Sequence, residues 1–380
     1  MERFDVVIVG AGPAGAAAAI AARRGGARVL LLDRADFPRD KPCGDGIAAD
    51  AVDELARLGV AGVAAGHPVI TRLRLVAPGG TAVTRPLPRP AFTIPRRIFD
   101  ERLVRAAVAS GAELRRHTVR SVVVAGEPAV DRRYAATVLI GADGAGSVVR
   151  RALGFGPNPA GHLAIAVRGY AATGNTTEQV IVTTRQRWPA YAWEFPLGDG
   201  TANVGYGEVL RGAPVSRAYL VERLRTLLPG GEPAGLRGHH LPLSTRRPPP
   251  GHGRVLLAGD ALSLINPFTG EGIFYAVLSG ALAGAAAAAG PVGVAERYRD
   301  ELRRRLGRHL RHSGIAARLT RRPAVVDAAV RAAARDGAVF GRMVDLGLGD
   351  GVFDLRTIGR IAAQMGRAHP AAPSRLGRAG

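Results

Sequence analysis

The hydrophobic positions near the start of the chain follow the pattern of a strand, a helix and a second strand. Phe4 to Val9 is a short β-branched run typical of a buried strand, an alanine-rich stretch then favours a helix, and a second apolar run ends at Asp33. The glycine-rich turn between the first strand and the helix contains Gly10, Gly12, Pro13, Ala14 and Gly15. Such a turn lets a pyrophosphate approach the free N–H groups of the helix, and the acid after the second strand can accept ribose hydroxyls. The pattern predicts a dinucleotide site and does not separate NAD from FAD.

Two later apolar strands each end in a turn that combines glycine with an acid. Residues 138–150 read VLIGADGAGSVVR, with Asp143 in the turn, and residues 255–273 read VLLAGDALSLINPFTGEGI. An acid at such a strand end can hold ribityl hydroxyls, and the turn into the next helix can offer N–H groups to the electron-rich edge of a reduced flavin. Together the motifs predict FAD, and the second supplies the candidate ligands Gly259, Asp260, Pro267, Gly270, Glu271, Gly272 and Ile273.

Residues 272–295 carry no charge and are numerous enough to span a bilayer. They are mostly alanine and glycine and include Pro291, so we predict a buried helix rather than a membrane span. The first residues lack the positive region of an export signal, and we therefore expect a cytoplasmic protein.

The order GxGPAG, ADG and GDxxxxxNPxxGEG resembles the FAD-dependent fold shared by aromatic hydroxylases, flavin halogenases and geranylgeranyl reductases. Three stretches are similar to motifs of the geranylgeranyl reductase family: residues 38–46 (PRDKPCGDG), residues 96–103 (RRIFDERL), and residues 191–196 (YAWEFP) followed by a GxG at 205–207. The resemblance covers about residues 4–290. It implies further contacts to FAD from Arg34, Cys43, Gly44 and Arg96.

Tyr191, Trp193 and Phe195 alternate along the chain, as residues on one face of a strand do. A row of rings offers a flexible apolar chain a large contact area with little side-chain entropy to lose. An ordinary core strand would show the same alternation, but the resemblance favours a wall for the substrate. It adds further candidate substrate contacts, namely Gly44, Gly46, Pro196, Gly205 and Gly207.

The resemblance implies a flavin-dependent reductase of isolated C=C bonds in an isoprenoid chain: geranylgeranyl diphosphate, a polyprenyl quinone tail or a terpenoid intermediate. Hydride from N5 of reduced FAD must be matched by a proton, and the candidate donors are Cys43, Asp45, Tyr191, Tyr206 and Tyr275. The external reductant stays open between NAD(P)H and ferredoxin, since no separate nicotinamide domain is evident. One alternative is an FAD-dependent monooxygenase of an aromatic or polyketide substrate. The other is a non-catalytic flavoprotein that binds lipid or quinone.

We expect an α/β (α+β mixed) chain with a Rossmann-like FAD-binding domain, an antiparallel-sheet substrate domain and a C-terminal helical segment. The FAD-binding domain is discontinuous and comprises residues 1–66, 92–153 and 250–294. Residues 67–91 and 154–249 form the substrate domain, residues 295–366 the helical region, and residues 367–380 a tail expected to be disordered.

The composition narrows the classes of partner. The chain has 380 residues and a formal charge of +21, and Lys41 is the single lysine. Ala, Gly, Pro and Arg all have GC-rich codons, so the charge fits either mutational bias with a solvated surface or attraction to an anionic partner such as a diphosphate or a lipid leaflet. Aromatic residues make up only 5% and no nucleic-acid module is present, so we expect no nucleic-acid partner. One cysteine excludes a disulfide framework, and nine scattered histidines without an HxxxH pair predict no metal site.

Beyond residue 294 an apolar stripe recurs every four residues, at Tyr298, Leu302, Leu306 and Leu310. Arginines occupy much of the rest of this predicted helix, at Arg299, Arg303, Arg304, Arg305, Arg308 and Arg311. They fit either a solvated helix packed on the core or a helix at an anionic membrane surface, where a peripheral protein would meet a polyprenyl substrate. The sequence leaves the oligomeric state open.

Overall fold

The computed structural model describes residues 1–212 and 215–365 of the chain. Its strands are β1 (Glu2–Val9), β2 (Val29–Asp33), β3 (Gly46–Ile47), β4 (Val69–Val76), β5 (Ala82–Thr93), β6 (Glu113–Arg116), β7 (Val122–Val123), β8 (Ala129–Val130), β9 (Tyr134–Gly141), β10 (Leu163–Ala172), β11 (Glu178–Thr183), β12 (Ala190–Pro196), β13 (Thr201–Val209), β14 (Ala234–Pro242), β15 (Gly251–His252) and β16 (Val255–Leu257).

The helices among these residues are α1 (Pro13–Arg24), α2 (Ala49–Arg57), α3 (Arg96–Ala109), α4 (Val148–Ala152), α5 (Arg217–Leu227), α6 (Ile273–Ala288), α7 (Val294–Leu319), α8 (Pro323–Arg335), α9 (Gly337–Leu348) and α10 (Leu355–Ala362). A short 3-10 turn at Gly259–Leu262 follows β16.

The first sheet has the strand order β15-β16-β9-β1-β2-β6, and its strands run parallel from β16 to β6. Val7 in β1 pairs with Leu30 in β2 and with Leu139 in β9. Consecutive residues of these strands are buried, so both faces of the sheet are covered, and a parallel sheet covered on both faces requires continuous apolar runs. The predicted Rossmann-like domain is confirmed.

Helices α1 and α6 pack unusually close together. A Cβ at Gly280 or Gly284 would lie 2.9 Å from the carbonyl carbon of Ala14 or Ala18, respectively. The small residues of the uncharged segment thus allow backbone contact between two helices. Helix α6 is buried inside the protein, as predicted. Within the described residues, no helix has both the length and the apolar character needed to cross a bilayer.

The second sheet has the order β14-β10-β13-β12-β11-β4-β5-β3. The expected antiparallel pairing holds for every pair except β4 and β11, which run parallel. After β4 and β5 the chain passes through part of the first sheet before it returns as β10. No tight turn therefore fixes the direction of β11 against β4, and a long crossover permits parallel pairing. Strand β3, from the loop after the first βαβ unit, joins this sheet beside β5.

The predicted C-terminal helical segment is present as α7 to α10. Tyr298, Leu302 and Leu306 of α7 are buried, and the Tyr298 hydroxyl donates a 2.9 Å hydrogen bond to the carbonyl of Leu257 in β16. Helices α8 and α9 pack on the second sheet through a cluster that includes Val330 and Phe340. The predicted disordered tail, 367–380, lies outside the described residues.

Candidate active site

A cavity of about 1440 Å³ is lined by loops after β1, β9 and β16, by one face of the second sheet and by α7 to α10. At one end its lining is backbone, glycine and charged side chains. At the other end aliphatic and aromatic side chains dominate. We call these the flavin end and the apolar end.

The glycine-rich turn after β1 forms the floor of the flavin end. Gly10 has φ +100°, and a Cβ there would lie 2.7 Å from the carbonyl carbon of Ala142, while a Cβ at Gly15 would overlap the Gly10 carbonyl group. Gly12 differs, because the nearest atoms to a Cβ there are guanidinium nitrogens of Arg39 at 3.5 Å and Arg96 at 4.0 Å. Gly10 and Gly15 allow the turn to close. Gly12 leaves an open, cationic space at the N-terminus of α1, which suits a pyrophosphate.

Arg96 is the first residue of α3 and is 4% exposed. Its guanidinium donates hydrogen bonds of 2.7 and 2.8 Å to the two oxygens of Asp100, and Arg39 lies 3.1 Å from the same carboxylate. Asp100 opposes the desolvation of Arg96 and raises the pKa of its guanidinium. Two cations share one carboxylate here, so positive charge remains for an anionic ligand.

Asp33, at the end of β2, is half-buried and helps to fix the turn. Its two oxygens accept hydrogen bonds of 2.8 Å from the Ala11 N–H and 2.9 Å from the Ala35 N–H. A carboxylate oxygen can accept more than one donor, so Asp33 can also bind a ribose hydroxyl. Arg34, the neighbouring candidate, is exposed and is not part of the cavity lining.

Asp260 lines the flavin end beneath Lys41. Burial alone would raise the pKa of this carboxyl, but the Lys41 ammonium at 3.5 Å and His239 at 3.9 Å hold it well below its usual range. Asp260 is therefore an acceptor for hydroxyl groups at neutral pH. The other predicted acid, Asp143, does not line the cavity; it accepts hydrogen bonds from the N–H groups of Val148 and Val149 at the start of α4.

Glu271 precedes α6 and lines the cavity together with Pro267, Gly270, Gly272 and Ile273. Its carboxyl accepts a 2.8 Å hydrogen bond from the Phe274 N–H, and burial raises its pKa to about 7. The acid thus caps the helix whose N-terminus was predicted to meet the flavin. Gly259 lies behind the lining, and a Cβ there would lie 3.0 Å from the Ala14 side chain.

These features fit FAD. The open turn at Gly12 with Arg39 and Arg96 suits the pyrophosphate, Asp33 suits the ribose, and the ionised Asp260 suits the ribityl hydroxyls. The described residues hold no group of three or more His, Cys, Asp or Glu side chains arranged to bind a metal ion.

Tyr191, Trp193 and Phe195 of β12 all line the cavity, and the rings of the first two lie 5.9 Å apart. Nearby glycines make room for them. A Cβ at Gly205 would overlap the Trp193 indole, one at Gly46 would lie 3.2 Å from the Phe195 ring, and one at Gly44 would lie 3.3 Å from the indole nitrogen. Gly207 also lines the cavity, whereas Pro196 is buried at the end of the strand.

The loop Cys43 to Gly46 is tied to this wall by Asn203, a residue that the sequence analysis missed. Its amide donates hydrogen bonds of 2.9 Å to the Cys43 carbonyl and 2.8 Å to the Asp45 carboxylate, and its oxygen accepts a 2.9 Å bond from the Trp193 indole. Asn203 is fully buried. Period-two alternation along β13 would have placed it on the same face as Gly205 and Gly207.

Asp45 lies beneath the loop rather than in the cavity lining. It has φ +61°, and its carboxylate accepts hydrogen bonds from Tyr170 at 2.7 Å and from Asn203. Burial raises its pKa to about 6, although these two donors act in the opposite direction. Its geometry suits holding the loop in place.

Of the five candidate proton donors, Cys43 and Tyr191 line the cavity. Burial raises the pKa of the Cys43 thiol, so it keeps its proton at neutral pH, and the Tyr191 hydroxyl donates to the Thr269 carbonyl beside the flavin end. Tyr206 and Tyr275 are in the interior, outside the lining. The Tyr206 hydroxyl donates to Glu208 at 2.9 Å, and the Tyr275 hydroxyl donates to the Gly349 carbonyl at 2.8 Å.

The apolar end draws its side chains from distant parts of the chain. The second sheet contributes Leu73 and Ile181, and the C-terminal helices contribute Val330, Met343 and Ile361. No short motif marks these residues, and the sequence analysis did not identify them.

Comparisons with known proteins show which family the chain resembles. A family model described as an FAD binding domain matches residues 3–168. The chain is 34% identical over 313 residues to the menaquinone reductase of Mycolicibacterium smegmatis, across 74% of this chain and 75% of that relative. It is 33% identical over 304 residues to digeranylgeranylglycerophospholipid reductase 1 of Methanopyrus kandleri, across 74% and 79%.

A solved structure of similar fold is that of a geranylgeranyl bacteriochlorophyll reductase-like protein from Thermoplasma acidophilum. It superposes with a TM-score of 0.76 and covers 96% of this chain and 97% of that chain. The sequence identity is 20%, so this likeness shows the fold.

Proposed function

We propose that this chain, which belongs to the geranylgeranyl reductase family of FAD-dependent oxidoreductases, reduces isolated C=C bonds in an isoprenoid chain. The observation that carries the proposal is the continuity of the cavity. Tyr191, Trp193 and Phe195 line the same cavity as Gly12 and Asp260. A chain lying along the rings can therefore reach the flavin end. Relatives named for menaquinone and for a digeranylgeranyl lipid support an isoprenoid substrate class.

The cavity suits a substrate with few polar groups. Contact between an isoprenoid chain and the rings supplies apolar burial at roughly 25 cal/mol per Å². Trp193 is held by its hydrogen bond to Asn203, so the ring keeps its orientation when no substrate is present. The aliphatic side chains beyond it exclude water from the reacting bond.

FAD, when bound and reduced, supplies the hydride for this chemistry. The chain must supply the proton, and we assign it to Cys43 or to Tyr191, the two candidate donors that line the cavity. The Cys43 thiol is protonated at neutral pH because burial raises its pKa. Tyr191 donates to the Thr269 carbonyl, which keeps its hydroxyl at the junction of the wall and the flavin end.

The experiment is an anaerobic single-turnover assay. Purified protein is expected to be yellow from bound FAD. The protein is then reduced and mixed, without oxygen, with geranylgeranyl diphosphate, menaquinone or a digeranylgeranyl lipid. Reoxidation of the flavin together with a saturated product, identified by mass spectrometry, supports the reductase. A flavin that reoxidises only with oxygen, and gives an oxygenated product, identifies a monooxygenase instead. Absence of turnover with every substrate would leave a non-catalytic flavoprotein.

The external reductant is tested in the same preparation. The oxidised protein is mixed anaerobically with NADH, NADPH or reduced ferredoxin, and bleaching of the flavin absorbance identifies the donor. We expect one of the three to act at a rate that supports turnover.

A further inference from the structure

One opening of the cavity is bordered by exposed apolar side chains. Of the ten large hydrophobic side chains that are exposed in residues 1–212 and 215–365, five lie at the end of α7 or on α10 and the turn after it. These five, which we call the apolar rim, are Ile315, Leu319, Leu355, Ile358 and Met365. All but Leu355 also line the cavity. The rim is therefore the place where the apolar end meets solvent.

Helix α10 has its apolar stripe on the outside. It packs inward through the buried Thr357 and the half-buried Ile361. Leu355 is 86% exposed and Ile358 is 48% exposed, and their spacing places them on one side of the helix. A surface helix of a monomer normally buries such a stripe, so this face is unpartnered.

Helix α7 continues the same surface with cations. Arg304, Arg308 and Arg311 are exposed, and at the helical spacing of three or four residues they lead into Ile315 and Leu319. The outer side of α7 is thus basic along its middle and apolar at its end.

The rim is also surrounded by arginines. Arg311, Arg318, Arg321, Arg322 and Arg356 are all exposed, and none has a carboxylate within ion-pair distance in the described part of the chain. Asp354, the acid beside the rim, caps α10 through the Thr357 N–H and lies 3.8 Å from Arg342. Apolar side chains flanked by unpaired cations are the composition of an interfacial membrane-binding face.

We propose that the apolar rim and these arginines seat the cavity opening on an anionic lipid bilayer. The apolar side chains insert at the level of the acyl chains, and the arginines contact the phosphate groups of the lipid heads. The purpose of this contact rests on the proposed function: an isoprenoid chain can then pass from the bilayer into the cavity without crossing water. The membrane contact itself does not depend on turnover.

The test is flotation of the FAD-loaded full chain with vesicles of phosphatidylcholine alone or of phosphatidylcholine with phosphatidylglycerol. We expect binding to the anionic vesicles at low salt and weaker binding in 1 M salt, where the Debye length falls to about 3 Å. Leu355→Glu is expected to reduce the bound fraction at least about tenfold, because it removes an inserted side chain and adds repulsion from the lipids. Val108→Glu is the matched control: Val108 is also on a helix, is 46% exposed and lies away from the rim, so binding should be unchanged.

FAD content is measured for each variant, because it reports an intact fold. Equal binding of the Leu355→Glu and Val108→Glu proteins, equal binding to neutral and anionic vesicles, or binding to neither would overturn the proposal. Sedimentation equilibrium adds one more outcome: a dimer that Leu355→Glu converts to a monomer would assign the rim to a second copy of the chain. A reductase assay that fails while flotation succeeds would refute the proposed function and leave this contact standing.

Discussion

The flavin end and the apolar end of the cavity are built in different ways. The flavin end consists of short contiguous segments at strand ends, which present backbone groups and a few charges to the cavity. The apolar end consists of single side chains from the second sheet and from α7 to α10. A charged dinucleotide needs fixed N–H groups and ions at exact positions, whereas an apolar chain needs only contact area. The kind of ligand therefore decides whether a binding site can be written as a motif.

Both ends depend on glycine, but for different reasons. Gly15 is needed so that the backbone of α1 can start beside the Gly10 carbonyl, whereas Gly205 is needed so that an indole ring can lie flat against a strand. Gly15 allows two backbone segments to lie in contact, and Gly205 makes room for the Trp193 side chain. Substitutions at the two positions should therefore separate FAD binding from substrate binding.

The largest effect is expected from Gly15→Ala. Its Cβ would overlap the Gly10 carbonyl group, and the backbone cannot move aside without opening the turn. We expect a colourless or unfolded protein, because overpacking against backbone costs about 3 kcal/mol or more. The matched variant Gly205→Ala pushes against the Trp193 side chain and should keep its flavin. Retention of FAD by both variants, or its loss from both, would contradict the separation.

Trp193→Ala should affect only the apolar end. Removing this ring should weaken substrate binding by about 2–4 kcal/mol, the scale of truncating an aromatic side chain that contributes strongly to binding. That corresponds to an increase of about 30- to 1000-fold in the dissociation constant. The flavin absorbance spectrum should be unchanged, and equilibrium titration of the oxidised protein with substrate measures the effect. Tyr219→Ala, at a half-buried ring of α5 that is not part of the cavity lining, is the control and should leave the dissociation constant unchanged.

The pH dependence of stability sharpens the contrast at the flavin end. Burial raises the pKa of Glu271 to about 7 in the folded apoprotein, from an ordinary value of 4.5 for a glutamate. Between these two values the folded state holds a proton that the unfolded state has lost. The contribution of Glu271 to the free energy of unfolding is therefore fully present below pH 4.5 and disappears as the pH rises through 7. At about 1.36 kcal/mol per pKa unit, the loss amounts to about 3 kcal/mol.

Urea unfolding of the apoprotein at pH 5 and pH 8 measures this effect. The free energy of unfolding should fall more between these values in the natural chain than in Glu271→Gln. The control Glu222→Gln changes an exposed glutamate on α5 and should follow the natural chain. Parallel curves for all three proteins would show that Glu271 is not protonated in the fold.

The smallest effect is expected from Asp33→Ala. The substitution removes the acceptor of the Ala11 and Ala35 N–H groups together with the proposed ribose contact. FAD should bind more weakly by about 1–3 kcal/mol, the range for hydrogen bonds to a charged group. Asp33→Asn keeps one acceptor oxygen, so its affinity for FAD should lie between those of the natural chain and of Asp33→Ala. Fluorescence titration of the apoproteins with FAD gives the constants, and equal affinities would remove Asp33 from the site.

Much of the fold could be predicted because local patterns specify it. Continuous apolar runs indicated the buried parallel strands, and the uncharged alanine-rich stretch indicated α6. The parallel pairing of β4 with β11 could not be predicted, because the two strands are far apart in sequence and no turn sets their direction. The same difference holds for the candidate site. The glycine-rich turn could be predicted from its motif, whereas the role of Asn203 depends on its hydrogen bonds to Cys43, Asp45 and Trp193 and could not.

The sequence by itself determined the elements whose chemistry is local: the turn at Gly10 to Gly15, the acids after β2 and β16, and the alternating rings of β12. Only the tertiary structure decided that Cys43 and Tyr191 line the cavity while Tyr206 and Tyr275 do not, since that depends on which side of a packed layer each hydroxyl or thiol faces. It also decided that the apolar stripe of α10 faces outward. Periodicity shows that a helix has two faces, but the packing of distant segments selects which face is buried.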